Sequence, residues 1–167
     1  MPVLGGVTQA AEGKLLLFAG GKEEAFKKAE PLLRQLGERI WRFEQAEQAS
    51  HAKLLCNLFI AGMITTLAQA IVFAGRAKVP QSTLLDIISY SALNAPMYQT
   101  KGKSMIERNF SPRFLTELML KDINLILDAA KDVGAPLPTI EAAQKLFRKA
   151  VRKGYAKEDY SAVLKAL

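Results

Sequence analysis

Lys53 and Asn57 stand four residues apart in the stretch HAKLLCNLFIAGM, residues 51–63. On a helix that spacing puts both on one face. An ammonium donates hydrogen bonds, and a carboxamide both donates and accepts them. Together they can grip one oxygen atom that takes up and gives off a proton. An apolar surround disfavours the charged form of a lysine and brings it toward the working range of an acid–base catalyst. The pair also fits a plainer role, in which Lys53 marks where a helix emerges into water and Asn57 caps or bridges helices.

Two other groups have usable chemistry. Phe114, Lys121 and Asp122 are seven and eight residues apart, which brings them to one side of a helix within a moderate arc. By themselves they read as a core ring beneath a solvated Lys–Asp pair. The opening PVLGG, residues 2–6, could turn backbone N–H groups toward an anion, and it reads equally as a plain β-turn. The only histidine is His51 and the only cysteine is Cys56. An intramolecular disulfide is therefore excluded, and no metal site is expected. No G-x-G-x-x-G follows a strand, and no Walker sequence occurs.

The elements that must position these residues change character near residue 45. Before it, KLLLFAG and RIWRF read as strands. KEEAFKKAEPLLRQLG between them reads as a helix ended by Gly37. Pro2-Val3-Leu4 reads as a short strand entering a tight turn at Gly5-Gly6. Residues 1–43 are thus expected to form β-turn-β-α-β. After Phe43 the strand signals stop. Residues 46–76 predict one long helix, with no charged residue from Leu54 to Gly75. That run is long enough to cross a bilayer, but a central helix covered on all sides gives the same pattern, and no membrane association is expected. Further helices are expected from Pro80, over about 95–108, over 111–134 with Ser111 as N-cap and Gly134 as C-cap, from Thr139 to Lys153, and over the closing DYSAVLKAL.

The 167 residues, half of them hydrophobic, suffice for one domain with a sizeable core, or somewhat more. The net charge of +7 permits anionic partners without requiring them. The basic run KLFRKAVRKGYAK reads as a solvated helix face rather than a nucleic-acid patch. A lone cysteine and the lack of a signal-peptide pattern suit a reducing, cytoplasmic setting.

In order and at these separations, PVLGG, GKLL, KLLCN and NFSPRFLTELMLKD resemble the β-hydroxyacid dehydrogenase family, which includes 3-hydroxyisobutyrate dehydrogenase and the glyoxylate and succinic semialdehyde reductases. The resemblance covers nearly the whole chain. It implies a mostly α fold: the β-α-β tail of a Rossmann domain over residues 1–43, then an all-helical substrate and dimerisation domain over 44–167, like the C-terminal domain of 6-phosphogluconate dehydrogenase and built on one long buried helix. It implies hydride transfer between NAD or NADP and a hydroxy acid or aldehyde, with most of the nucleotide site outside this chain, so that the chain alone is expected to be inactive. Lys53 corresponds to the catalytic lysine. Leu4, Gly5, Gly6, Asn57, Phe114 and Asp122 correspond to substrate-side positions, and Lys121 to a lysine near the cofactor. Leu4 stands where the family places a carboxylate-binding serine. A homodimer is expected. The rival expectation is a non-catalytic helical oligomerisation or binding module on the same fold.

Overall fold

Along KLLLFAG, alternation sends Leu15, Leu17 and Ala19 to one side of a strand and Phe18 to the other. The computed structural model describes residues 1–167 and forms β2 there, Leu15–Gly20. On one side, Leu17, Ala19 and Leu33 make a buried cluster with Leu15, Phe26, Ala29 and Ile40 packed on it. On the other, the Phe18 ring stacks on Trp41, with centroids 5.8 Å apart. Helix α2 (Glu23–Leu36) carries Phe26, Ala29 and Leu33 at helical spacing and returns the chain to β3 (Gly37–Phe43). The strand–helix–strand crossover makes β2 and β3 parallel, with Leu17 opposite Ile40 and Gly20 opposite Phe43. The short β1 (Val3–Leu4) joins the other edge of β2 in antiparallel fashion, giving the order β1-β2-β3.

Residues 5–11 correct the expected tight turn. A one-turn helix, α1 (Val7–Ala11), stands between β1 and β2. The Gly6 carbonyl accepts from the Ala10 N–H at 3.0 Å, and the Gln9 side chain reaches back to the Gly6 N–H at 3.0 Å. These two local bonds start a helix where Gly-Gly alone suggests a β-turn. Gly5 has φ +143°, and a Cβ there would come within 2.8 Å of a Leu15 methyl.

The chain divides into two compact units, Met1–Cys56 and Asn57–Leu167. Helix α3 (Ala46–Arg76) begins in the first and ends in the second. The second unit adds α4 (Gln81–Ser89), α5 (Pro96–Ile106), α6 (Thr116–Asp132) and α7 (Pro138–Ala150). A wide turn at Val151–Tyr155 follows, then a 3₁₀ helix at Tyr160–Ala166. Ala61, Ile64, Ala68 and Ile71 form the buried stripe of α3. Met119, Ile123, Ile126 and Ala130 bury one side of α6, and Ile140, Ala143, Phe147 and Ala150 one side of α7, each at three- and four-residue steps. The terminal 3₁₀ helix is buried almost throughout. Cover over α3 is one-sided within this chain: Phe59 and Phe73 remain 67% and 73% exposed.

The start of α6 also departs from expectation. Ser111 does not cap it; its N–H and hydroxyl both bond to the Asn109 side chain. The helix opens at Thr116, after Leu115 in extended conformation. Leu115 is held extended by an antiparallel bridge to Asp159. The Thr116 and Glu117 N–H groups then find carbonyls of Glu158 and Ala156 at 2.9 and 3.1 Å. Partners from the far end of the chain satisfy the first turn, so no local cap is needed. The other end is as expected. Gly134, with φ +70°, lies just past the helix, and the Ala135 N–H reaches back to the Ala130 carbonyl.

Candidate functional site

Asn57 is the first residue of the second unit and is 6% exposed. A buried carboxamide needs partners. Its Nδ2 donates to Asp122 Oδ2 at 2.8 Å. Asp122 lies in the second turn of α6 beside the apolar stripe and is itself buried. Its other oxygen, Oδ1, lies 2.8 Å from Lys121 Nζ, whose side chain is 60% exposed. The three residues thus form a relay from a buried amide, through a buried carboxylate, to an ammonium at the surface. A carboxylate only accepts, so the amide nitrogen must face Asp122. The amide oxygen is thereby presented as an acceptor.

Lys53 lies one turn before Asn57 on the continuous helix α3 and is half-buried. In the first unit, Gly5 and Gly6 follow β1, with Leu4 half-buried on that strand. The Gly6 N–H is engaged by Gln9, so it is not simply pointed at solvent.

Phe114 is not on α6. It precedes the helix and belongs to a second polar cluster that sequence reasoning missed. Its N–H donates to Asp159 Oδ2 at 3.3 Å, and its ring meets Tyr160 edge-on at 5.9 Å. Lys101 Nζ reaches both Asp159 oxygens at 2.8 Å and lies 4.4 Å from the Tyr160 ring centroid. The Ser161 hydroxyl and N–H complete the ring of donors at 2.6 and 3.1 Å. Burial alone would push the Asp159 carboxyl up, but hydrogen bonds from Lys101 and Ser161 outweigh it and hold the group below its ordinary value. Burial, then the Asp159 charge, push the Tyr160 hydroxyl well above its usual range. The one signal in the sequence was Asp159 two residues before Ser161, the pattern of a side chain capping a helix.

Chemically, the Asn57–Asp122–Lys121 relay is a means of orienting an amide, and the Asp159 cluster is a fully satisfied clamp. No group of histidine, cysteine and carboxylate side chains is disposed to hold a metal ion.

Residues 48–167 match the family model described as "NAD-binding of NADP-dependent 3-hydroxyisobutyrate dehydrogenase". The chain belongs to the β-hydroxyacid dehydrogenase family. Residues 1–45 match a second model, the NAD binding domain of 6-phosphogluconate dehydrogenase. Among β-hydroxyacid dehydrogenases of known structure, 3-hydroxyisobutyrate dehydrogenase from Salmonella typhimurium superposes with a TM-score of 0.92 at 31% identity, over 99% of this chain and 59% of that one. The Mycobacterium tuberculosis enzyme gives 0.87 at 30%, over 98% and 58%. L-threonate dehydrogenase of Escherichia coli O6:H1 is 30% identical over 98% of this chain and 55% of its own length. The chloroplastic glyoxylate/succinic semialdehyde reductase 2 of Arabidopsis thaliana is 31% identical over 99% and 46%. The chain therefore spans about half the length of the curated relatives it matches. The small sheet followed by helices is the fold expected of a β-hydroxyacid dehydrogenase. Helix α3 is long and apolar enough to cross a membrane by length and composition, and 39% of its most apolar stretch is buried within this chain.

Proposed function

We propose that this chain is the substrate-side portion of an NAD(P)-dependent hydroxy acid dehydrogenase or semialdehyde reductase. The observation that carries the reading is the buried, oriented amide of Asn57 one turn beyond Lys53 on α3. Lys53 donates a proton to the substrate oxygen in the reducing direction and takes it back in the oxidising direction. The Asn57 amide oxygen accepts from the substrate hydroxyl in the bound complex and fixes its direction, until that one proton turns to Lys53 for transfer. The backbone at Gly5 and Gly6, beside Leu4, receives the substrate carboxylate, the Gly6 N–H exchanging its Gln9 acceptor for it. Phe114 supplies an apolar wall. An exposed lysine tethered by a carboxylate suits a carboxamide or phosphate oxygen, so Lys121 fits one edge of a nicotinamide nucleotide. Residues 1–167 contain no Gly-rich pyrophosphate cradle. The bound nucleotide supplies or accepts the hydride.

The assay is turnover of small hydroxy acids and semialdehydes by the full-length protein, followed at the nicotinamide absorbance with NAD and with NADP. Turnover that disappears in Lys53→Met supports the reading. No turnover with any member of the panel overturns it. A second reading, a non-catalytic oligomerisation module, is favoured by the exposed Phe59 and Phe73 on α3. Self-association through that face is compatible with both.

A further inference from the structure

We propose that Asp122 is a positioning residue rather than a ligand of the substrate. The inference rests on the hydroxy acid reading above and deepens it. Both oxygens of Asp122 are already engaged, Oδ2 by the Asn57 amide and Oδ1 by the Lys121 ammonium, each at 2.8 Å. A substrate carboxylate brought against Asp122 would meet like charge. What Asp122 can do is decide which way the Asn57 amide faces. The two orientations of a carboxamide have nearly the same shape and opposite hydrogen-bonding sense. With its nitrogen held inward, Asn57 offers its oxygen to a hydroxyl. With the amide flipped, it would offer N–H donors, which suit a carbonyl but leave a substrate hydroxyl without its acceptor. The same carboxylate tethers Lys121, so one buried charge sets the geometry of an amide on α3 and of a cation on α6.

The experiment has two arms. In the 167-residue chain itself, hydrogen exchange of the Asn57 side-chain amide is followed by NMR, with no cofactor or substrate present. Exchange at least about tenfold slower than at the exposed Asn109 amide supports the inference. Exchange as fast as at Asn109 overturns it. In the full-length protein, Asp122→Asn keeps the shape but cannot accept at both positions. The expected result is a fall in kcat of roughly 10–100-fold, the scale of a slight misplacement, with KM for the hydroxy acid within about threefold. A raised KM with kcat retained would mean that Asp122 binds the substrate, and would overturn the inference. Should Asp122→Asn fail to fold, Lys121→Met on the exposed side of α6 replaces it. Asn57 protection and the hydroxy acid KM both kept support the inference, and a raised hydroxy acid KM with kcat kept overturns it. Failure of the underlying reading looks different. A Lys53→Met enzyme with normal turnover removes the proton-transfer role but leaves the Asn57 exchange result standing.

Discussion

Lys101 meets both carboxylate oxygens of Asp159 at 2.8 Å, and their side chains are only 13% and 3% exposed. The pair ties α5 to the segment that starts the terminal 3₁₀ helix. Removing one partner strands the other charge away from water. Lys101→Met should therefore destabilise the protein by roughly 3–5 kcal/mol, the usual cost of breaking a buried pair. Urea denaturation at neutral pH measures it. A loss below about 1 kcal/mol would match a surface pair and contradict the burial.

The same pair predicts an acid limb. The Asp159 carboxyl is held below its ordinary value of 3.8 in the folded protein. A depressed carboxyl contributes stability that is present above the unfolded value and lost as pH falls through the folded one. Stability should thus decline from just above pH 4 downward. Asp159→Asn should flatten that decline while lowering stability at pH 7. Denaturation curves from pH 7 to pH 3 for both proteins provide the comparison; parallel curves would assign the acid limb to other carboxylates.

In the full-length protein, Lys53→Ala should lower kcat by about 10²–10⁴-fold, the usual contribution of a positioned general acid. A pH–rate profile checks the role. Near-normal turnover at every pH would exclude Lys53 from proton transfer.

Leu4 can offer a substrate only apolar contact, whereas serine can hydrogen-bond a carboxylate. Leu4→Ser should lower KM for small semialdehyde acids and leave bulkier, less charged carbonyl compounds unfavoured. An unchanged KM would leave carboxylate binding to the backbone of Gly5 and Gly6 alone.

Phe59 and Phe73 project from one side of α3, with Leu55 one turn before Phe59 and also exposed. Soluble monomers rarely keep such a face uncovered. The chain should scatter light as a dimer, and Phe59→Asp with Phe73→Asp should shift it toward monomer or aggregate. A stable mass near the 18.3 kDa of one chain would contradict this.

Local pattern was enough for β2, α2, β3 and α3. Alternation in KLLLFAG, three-to-four spacing of Phe26, Ala29 and Leu33, and the uncharged run after Lys53 each depend on neighbours in the chain. The Asn57–Asp122 bond was less legible. The two residues were each singled out, but 65 positions separate them and only the fold joins them. Phe114 was misplaced for a related reason. Ser111-Pro112 looks like a helix start, yet the segment is pulled extended by Asp159 and Tyr160. The Gly5-Gly6 turn failed on a side chain, because Gln9 turns back and closes a helical turn.

The far-end caps on α6 bear on how the protein is made. The Thr116 and Glu117 N–H groups find their acceptors at Glu158 and Ala156, and the Thr116 hydroxyl donates to the Glu158 and Asp159 carbonyls. During synthesis those acceptors leave the ribosome about forty residues after the first turn they complete. Until then the first turn of α6, the turn before Lys121 and Asp122, lacks its partners.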